Sequence, residues 1–543
     1  MGSSTSRTMD SSDSRSRSED SFDEGTDLAT ILQILIRSGQ VQVAPSDREE
    51  SDDDGPESVG GSDSTSKAEM QPNTENLDKS QLSFSTMQSC GLIHSSGHKR
   101  PSSVTSMIKL RERGIQGTNG FSRADCCKIS NCYLPNKKTT VASYRSKAFC
   151  GTYSKDGNVF LSACQDRNLR LHHTCDGKFE LFKTIQARDV GWSILDTAFS
   201  PDSNHIAYSS WSECIHLCSI YGDSDNQEAL PLNPDERRFC IFSLVFSLDN
   251  KEILGGANDG HLYVYDRGSQ QRCLRIEGHN DDVNTVAFAD DTSQILFSGG
   301  DDGLCKVWDR RTLSEFNPRP VGVHAGHMDG LTYVDPRGDG RHLITNSKDQ
   351  SIKLWDMRTF SSTIGEDNTR KAVADQTWDY RWQRVPKKLS HPKKPLIGDT
   401  SVMTYRGHTV LQTLVRCHFS PEFTTGQRYI YTGCAEGRVV IYDVLTGEIT
   451  SVLHGHDECV RDVSWHPYRQ ELISTSWDGT IGQWTHVGMT LMMDDEDDNM
   501  EGDSCDMKFF DSDGCANEPK VLRRSKRIAQ KKQDEQQRQQ RNC

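Results

Sequence analysis

Between about residue 141 and residue 487 the chain repeats itself at a near-constant interval. In each unit a turn carrying an acidic residue, often followed by Gly, leads into a run of β-branched and aromatic residues. Several of these runs close on Trp-Asp or Tyr-Asp. The turn acids are Asp166, Glu213, Asp259, Asp302, Asp349, Glu436 and Asp478, at spacings of 47, 46, 43, 47, 87 and 42 residues. Four units open on Gly-His, at Gly278-His279, Gly326-His327, Gly407-His408 and Gly455-His456. The pattern is clearest in "SGGDDGLCKVWDRR" (Ser298 to Arg311) and its near twin "TNSKDQSIKLWDMR" (Thr345 to Arg358). A unit of this length cannot bury its apolar face alone, so successive units must stack on one another.

Gly-His near the start and Trp-Asp at the end of a 40 to 45 residue period are the WD40 signature, one four-stranded blade per unit. Blades arranged radially close into a propeller. The spacing therefore predicts an all-β, seven-bladed WD40 β-propeller over residues 141–488, with disordered tails on both sides. The doubled interval of 87 leaves a choice, because "TWDYRW" (Thr377 to Trp382) contains another Trp-Asp. The stretch from about 360 to 400 has no Gly-His and no alternating apolar run. It does carry Pro386, Pro392 and Pro395, and proline is excluded from central strands. It reads as an insertion in the connection after blade five, of a length that is usually functional or disordered. Trp378, Tyr380 and Trp382 alternate within it and predict a short strand on the blade edge. His456, Ser474, Asp478 and Trp484 of blade seven are placed to form one side-chain hydrogen-bond chain, a network stable only when every member is satisfied. Blade four holds the corresponding His279, Asp302 and Trp308, and blade five His327, Asp349 and Trp355. The full set is expected in blades four and seven. These residues are structural, not catalytic.

Polarity separates the ends from the repeat. Residues 1–140 are mostly Ser-rich and acidic ("DSSDSRSRSEDSFDEG", "REESDDDGPESVGGSDSTS"), too polar to offset the entropy of ordering. Two short helices are predicted there. One lies near 27–38, with Leu28, Ile31, Leu32 and Leu35 at helical spacing. The other lies near 104–113, with Val104, Met107 and Ile108. Helices this short are marginal alone, so each needs a surface to dock on. Residues 489–543 run acidic, then basic ("KVLRRSKRIAQKKQ"), as a nuclear import signal or a weak nucleic-acid contact would. The net charge of −15 opposes any general coating of nucleic acid or anionic membrane. Nuclear and cytoplasmic localisation is expected. "MGSSTS" fits the myristoylation pattern at Gly2, and no apolar stretch has membrane-spanning length. The 18 cysteines lack paired C-x-x-C spacing and are expected to be reduced thiols; Cys126, Cys127 and Cys132 alone make a poor zinc site. "GGANDG" and "GGDDG" lack the Lys-Ser/Thr of a phosphate loop, and "LHHTC" points consecutive side chains to opposite faces of a strand. No enzyme, cofactor or metal is expected.

Trp308-Asp309-Arg310-Arg311 and Trp355-Asp356-Met357-Arg358 both spell W-D-x-R, in consecutive blades. Together with "DVGWS", "PDERRF", "LGGANDG", "SHP", "MTYRGH", "RDVSWHP" and "TWDYRWQRVPKK", the pair resembles the cullin-4-associated factors, WD-repeat substrate receptors of cullin-4 ubiquitin ligases. The likeness covers about Val141 to Trp484 and both N-terminal islands. It implies that Arg311 and Arg358, with Asp309 and Asp356, lie on the propeller's lower side. There they would engage the adaptor damage-specific DNA-binding protein 1, and through it cullin-4 and a RING protein. It further implies that an N-terminal helix inserts into the adaptor, a role for Leu28, Ile31, Leu32 and Leu35, or for Val104, Met107 and Ile108.

The upper face would then hold substrates for ubiquitination and proteasomal degradation; the resemblance associates such receptors with stress-response transcription factors. Residues just before each turn acid project there: Asn258, Asp301, Lys348 and Trp477. Arg188, Arg237, Arg238 and Arg461 line the same rim, favouring an acidic or C-terminal degron through charge-assisted hydrogen bonds. A local carboxylate on each blade would instead make the two W-D-x-R arginines scaffold. In that case the chain is a general WD40 scaffold of a nuclear chromatin or RNA-processing assembly.

Overall fold

The computed structural model describes residues 72–93, 103–114 and 120–488, apart from 223–225, 236–237, 391 and 393. Gly2, the helix expected at 27–38, Arg237 and the tail 489–543 lie outside the described residues. Seven four-stranded antiparallel sheets form the propeller. Six are built from four consecutive strands. The seventh takes Val460–Trp465, Leu472–Ser476 and Thr480–Thr485 from the end of the repeat, and its outer strand, Lys137–Ser143, from before blade one. That outer strand pairs antiparallel with Thr480–Thr485, from Lys137 opposite Thr485 to Ser143 opposite Thr480. The ring is thus locked by a pairing across almost the whole repeat. Each blade is sandwiched between neighbours, so inner strands such as Val283–Phe288 are buried at every position. Closure in a ring leaves only short edges.

The turn acid is usually followed by a glycine with positive φ, as at Gly260, Gly303, Gly437 and Gly479, because the tight turn needs the left-handed conformation. Blade five has Gln350 there, at φ 66. Its side chain offsets the strain: the amide donates to Lys348 O at 2.6 Å and Val410 O at 3.0 Å, and its oxygen accepts from Val410 N at 2.8 Å.

The insertion departs from the sequence expectation in two ways. It lies inside blade five, between the third strand Ser351–Asp356 and the fourth strand Met403–Arg406. Among its described residues it also contains no strand. The helix Thr363–Ala374, capped by Ser362, leads to an irregular segment that crosses the upper side. Tyr380 and Trp382 lie in a turn closed by Trp382 N and Gln383 N donating to Asp379 O at 3.1 and 2.9 Å, and the aromatics find no strand edge. Trp378 donates its indole N–H to Asp329 Oδ2 at 2.8 Å, and Tyr380 O accepts from Gln412 N at 2.9 Å.

N-terminal helices pack under blades five and six. Glu75–Asp78 and Gln81–Ser89 bury Leu77 and Leu82 completely, in one cluster with Met403, Tyr405, Tyr442 and Val444. Arg123–Ser130 starts in a capping box of Ser122 and Asp125 and packs on the short helix Glu422–Thr425 of blade six. Val104–Glu112 is helical, with Met107 buried and Ile108 exposed.

Candidate functional site

The repeated histidine, aspartate, hydroxyl and tryptophan residues tie each blade together. In blade four His279 Nδ1 lies 2.9 Å from Asp302, Nε2 lies 2.7 Å from Ser298 Oγ, and Trp308 Nε1 donates to the same Oγ at 2.8 Å. The carboxylate only accepts, so Nδ1 carries the proton. The indole only donates, so the Ser298 hydrogen goes to Nε2, and every member is satisfied. Blade seven repeats this through His456, Asp478, Ser474 and Trp484. Blade five completes the set too, with Thr345 in place of serine between His327 and Trp355, and Asp349 on His327. The sequence expectation overlooked that a threonine hydroxyl serves equally.

On the lower face, in the turns between third and fourth strands, the two W-D-x-R arginines are pinned by the aspartate of their own motif. Arg311 donates Nε to Asp309 Oδ1 at 2.9 Å and Nη2 to Oδ2 at 2.6 Å. This fork pulls the Asp309 carboxyl down to about 2. Arg358 makes the same fork to Asp356 at 3.3 and 3.2 Å, longer because Asp356 also takes Arg341, at 2.7 Å from Nη2. The arginine side chains nonetheless remain 66% and 60% exposed. Each has the local carboxylate that the scaffold reading expects, but its exposure leaves it oriented and available as well. Arg341 in turn donates to Gln81 Oε1 at 2.6 Å, and Arg337 to Thr86 Oγ1 at 3.0 Å. Hydrogen bonds therefore run unbroken from the helix Gln81–Ser89 through Arg341 and Asp356 to Arg358. That helix, absent from the sequence reading, presents an exposed Phe84 outward. Its only sequence signals were the Ser80 cap and a weak apolar stripe.

The WD40 family model, "WD domain, G-beta repeat", matches residues 270–309, 318–356 and 447–485. A Caenorhabditis elegans protein named "DDB1- and CUL4-associated factor 11 homolog" is 40% identical over 437 residues, 77% of this chain and 76% of its own length. A Caenorhabditis briggsae protein of the same name is 41% identical over 408 residues, 72% of this chain and 73% of its own. The chain belongs to the DDB1- and CUL4-associated factor 11 family. "LEC14B protein" of Lithospermum erythrorhizon shares the similarity, at 39% identity over 72% of this chain and 83% of its own.

In this family member the upper-face residues do not behave alike. Lys348 is buried, its ammonium 2.7 Å from Asp301 Oδ1 and 4.4 Å from the centre of the Tyr380 ring. Lys348 and Asp301 thus fasten the insertion instead of facing a ligand. Asn258 bridges Cys240 N and Arg238 O, holding a loop. Arg461 is buried, donating to Phe149 O at 2.7 Å and Leu195 O at 3.0 Å. Arg188 is exposed. Trp477 is half-buried against Phe149, with Lys147 Nζ 4.0 Å over its ring. Trp192 meets the same Phe149 edge-on at 5.2 Å and is 52% exposed. Trp211 is exposed beside Gly191. An aromatic surface thus spans the tops of blades seven, one and two. Only Trp477 of it was visible from the turn pattern, because Trp192 and Trp211 sit in blades whose signatures are degenerate.

The central channel holds a cavity of about 450 Å³. Arg416 bridges Asp196 at 2.5 Å and Asp462 at 3.2 Å across its wall. Burial opposes charge on His418, but hydrogen bonds to Asp335 and Asp462 push it up to about 9. Cations and carboxylates here satisfy one another, as buried charges must.

Proposed function

We propose that this chain is the substrate receptor of a cullin-4 RING ubiquitin ligase. Its lower face docks the adaptor damage-specific DNA-binding protein 1, and its upper face presents proteins for ubiquitination. The transfer chemistry belongs to other subunits. The observation that carries the reading is the paired arginines Arg311 and Arg358. Each is held by a two-point hydrogen bond to its own aspartate and each is more than half exposed, with Arg358 linked to a helix docked beside it. An arginine pre-oriented by one carboxylate loses little side-chain entropy when a partner arrives. The names of the Caenorhabditis relatives support the same assignment.

The test is capture of purified adaptor by wild type and by the double variant Arg311→Ala, Arg358→Ala, with circular dichroism as the folding control. Wild type should bind, and the folded double variant should lose most of that binding. Equal binding by both makes the arginines scaffold. No binding by wild type removes the receptor reading.

A further inference from the structure

The lower mouth of the central channel is apolar inside and acidic at its rim. A cavity of about 320 Å³ opens there, lined by Phe199, Pro201, Leu248, Phe288 and Pro336. Leu248 stands 36% exposed at its edge. The loops that join first and second strands in blades one to four all contribute to the lining. They carry five carboxylates, Asp156, Asp202, Asp249, Asp290 and Asp291, against two lysines, Lys155 and Lys251. Lys251 lies 3.4 Å from Asp249 and Lys155 lies 3.8 Å from Asp291, both pairs solvent-exposed and therefore weak. The corresponding loop of blade five, residues 337–341, lends the mouth Gly338 but turns both its arginines to the helix Gln81–Ser89. The mouth is left anionic, and it adjoins the loop from which Arg341 reaches Asp356 and, through it, Arg358. An open apolar depression with a polar rim marks an interaction site.

One segment of this chain matches both features. Between Glu518 and Asp534 there is no acidic residue, while seven lysines and arginines occur around Val521-Leu522 and Ile528-Ala529. The chain also leaves the propeller on the same side. The strand Thr480–Thr485 ends at the lower face, where Val487 and Asn136 exchange hydrogen bonds of 2.8 and 3.0 Å. Lys520 lies 32 positions beyond Gly488. A chain of that length spans about 30 Å as a coil, against a radius of gyration of about 20 Å for a domain of this size. The connection is long enough to reach the mouth, and tethering raises the local concentration of the segment there.

We propose that residues 520–532 dock on this mouth, with Val521 and Leu522 in the apolar cavity and the flanking cations on the rim aspartates, and that the docked tail competes with the adaptor for the lower face. The competition rests on the receptor reading; the docking itself does not. A tail seated about two-thirds of the time lowers apparent adaptor affinity about threefold. The acidic run at residues 494–503 is the rival partner for the same cations, and the test separates the two.

The test is carbodiimide cross-linking of the full chain read by mass spectrometry. An equal mixture of ordinary and isotope-labelled protein distinguishes contacts within a chain from contacts between chains. Lys520 and Lys526 should join Asp202, Asp249 or Asp291 of the same chain, in a yield that falls with added salt. The mouth variant combines Leu248→Gln with Asp291→Lys, and the tail variant combines Leu522→Gln with Arg523→Glu and Arg524→Glu. Each should lose most of these cross-links at an unchanged thermal midpoint. The tail variant should also bind purified adaptor about threefold more tightly than wild type. Cross-links only to residues 494–503, cross-links only between chains, or yields unaltered in both variants overturn the docking. Cross-links that form as expected, with adaptor affinity unchanged in the tail variant, overturn the competition. If wild type binds no adaptor while the cross-links form, the receptor reading falls and the docked tail stands.

Discussion

Replacing Ser474 by Ala removes one hydroxyl that serves two buried groups. Its oxygen accepts from Trp484 Nε1 at 2.7 Å and its hydrogen goes to His456 Nε2, also at 2.7 Å. Trp484 is 1% exposed and the His456 side chain 0%, so neither can turn to solvent, and a lost hydroxyl leaves too little room for water. A buried polar group without a partner costs about 1–3 kcal/mol. Two such groups place the loss at roughly 2–6 kcal/mol, with about 3–4 the expected value. The assay is urea unfolding of the full chain followed by far-ultraviolet circular dichroism. With a slope of about 4 kcal/mol per molar for a domain this large, the midpoint should fall by about 1 M. Trp484→Phe removes the indole donor, so in that background Ser474→Ala strands only the imidazole, and its cost should shrink by about 1–3 kcal/mol. A cost under about 0.5 kcal/mol, or strict additivity of the two changes, would refute the account of the tetrad as one coupled network.

Acid should destabilise the fold. Burial holds His172, His324 and His466 at about 4 and His408 at about 3, so below about 6.5 the unfolded chain takes up protons first. Each costs about 1.4 kcal/mol per pH unit, partly offset by Asp282 and Asp329, which burial pushes up to about 6. An unfolding midpoint that stays flat from pH 7 to pH 5 would contradict this. Asp399→Ala leaves Lys353 buried and unpaired, at a cost of about 3–5 kcal/mol; hydrogen exchange should accelerate across residues 363–397 and leave blade one unchanged. Trp477→Ala should preserve adaptor binding while depleting the proteins that co-purify with the receptor after proteasome inhibition; loss of both activities would mean that the packing on Phe149 had failed.

The propeller was legible because its signals are local and repeated. A turn acid, a Gly-His and a Trp-Asp recur within one blade, and their contacts span about twenty residues, as between His279 and Asp302. What escaped depends on contacts distant in sequence. The strand Lys137–Ser143 belongs to blade seven because Thr480–Thr485 needs an outer partner, and nothing inside "KKTTVAS" announces that. Gln81–Ser89 is stabilised by Arg337, Arg341 and Gly426, not by its own weak amphipathicity. Lys348 was expected to face a ligand from its turn position alone. The insertion that covers it arrives from dozens of residues downstream.

The W-D-x-R unit occurs a third time, at Trp378-Asp379-Tyr380-Arg381 in the insertion, and there it forms the same fork. Arg381 Nε lies 3.0 Å from Asp379 Oδ1 and Nη2 lies 2.8 Å from Oδ2, with the arginine 60% exposed. In all three copies the backbone N–H of the arginine also donates to the same aspartate, at 2.9 to 3.0 Å. The geometry therefore recurs in all three W-D-x-R units, an aspartate folding back on the turn it begins, whereas Asp339-Gly340-Arg341 keeps the backbone bond but sends its guanidinium to Asp356. It supplies orientation but no specificity, and location must separate the roles. Arg381 lies on the upper side with Tyr380, while Arg311 and Arg358 lie in lower-face turns. Arg381→Ala is thus the internal control for adaptor docking. It removes an equally exposed, equally oriented cation and should leave adaptor binding within about twofold of wild type, the change expected of a charge distant from an interface. If Arg381→Ala weakens the adaptor as much as Arg311→Ala does, the arginines act through overall charge, and the lower face loses its claim to be the docking surface.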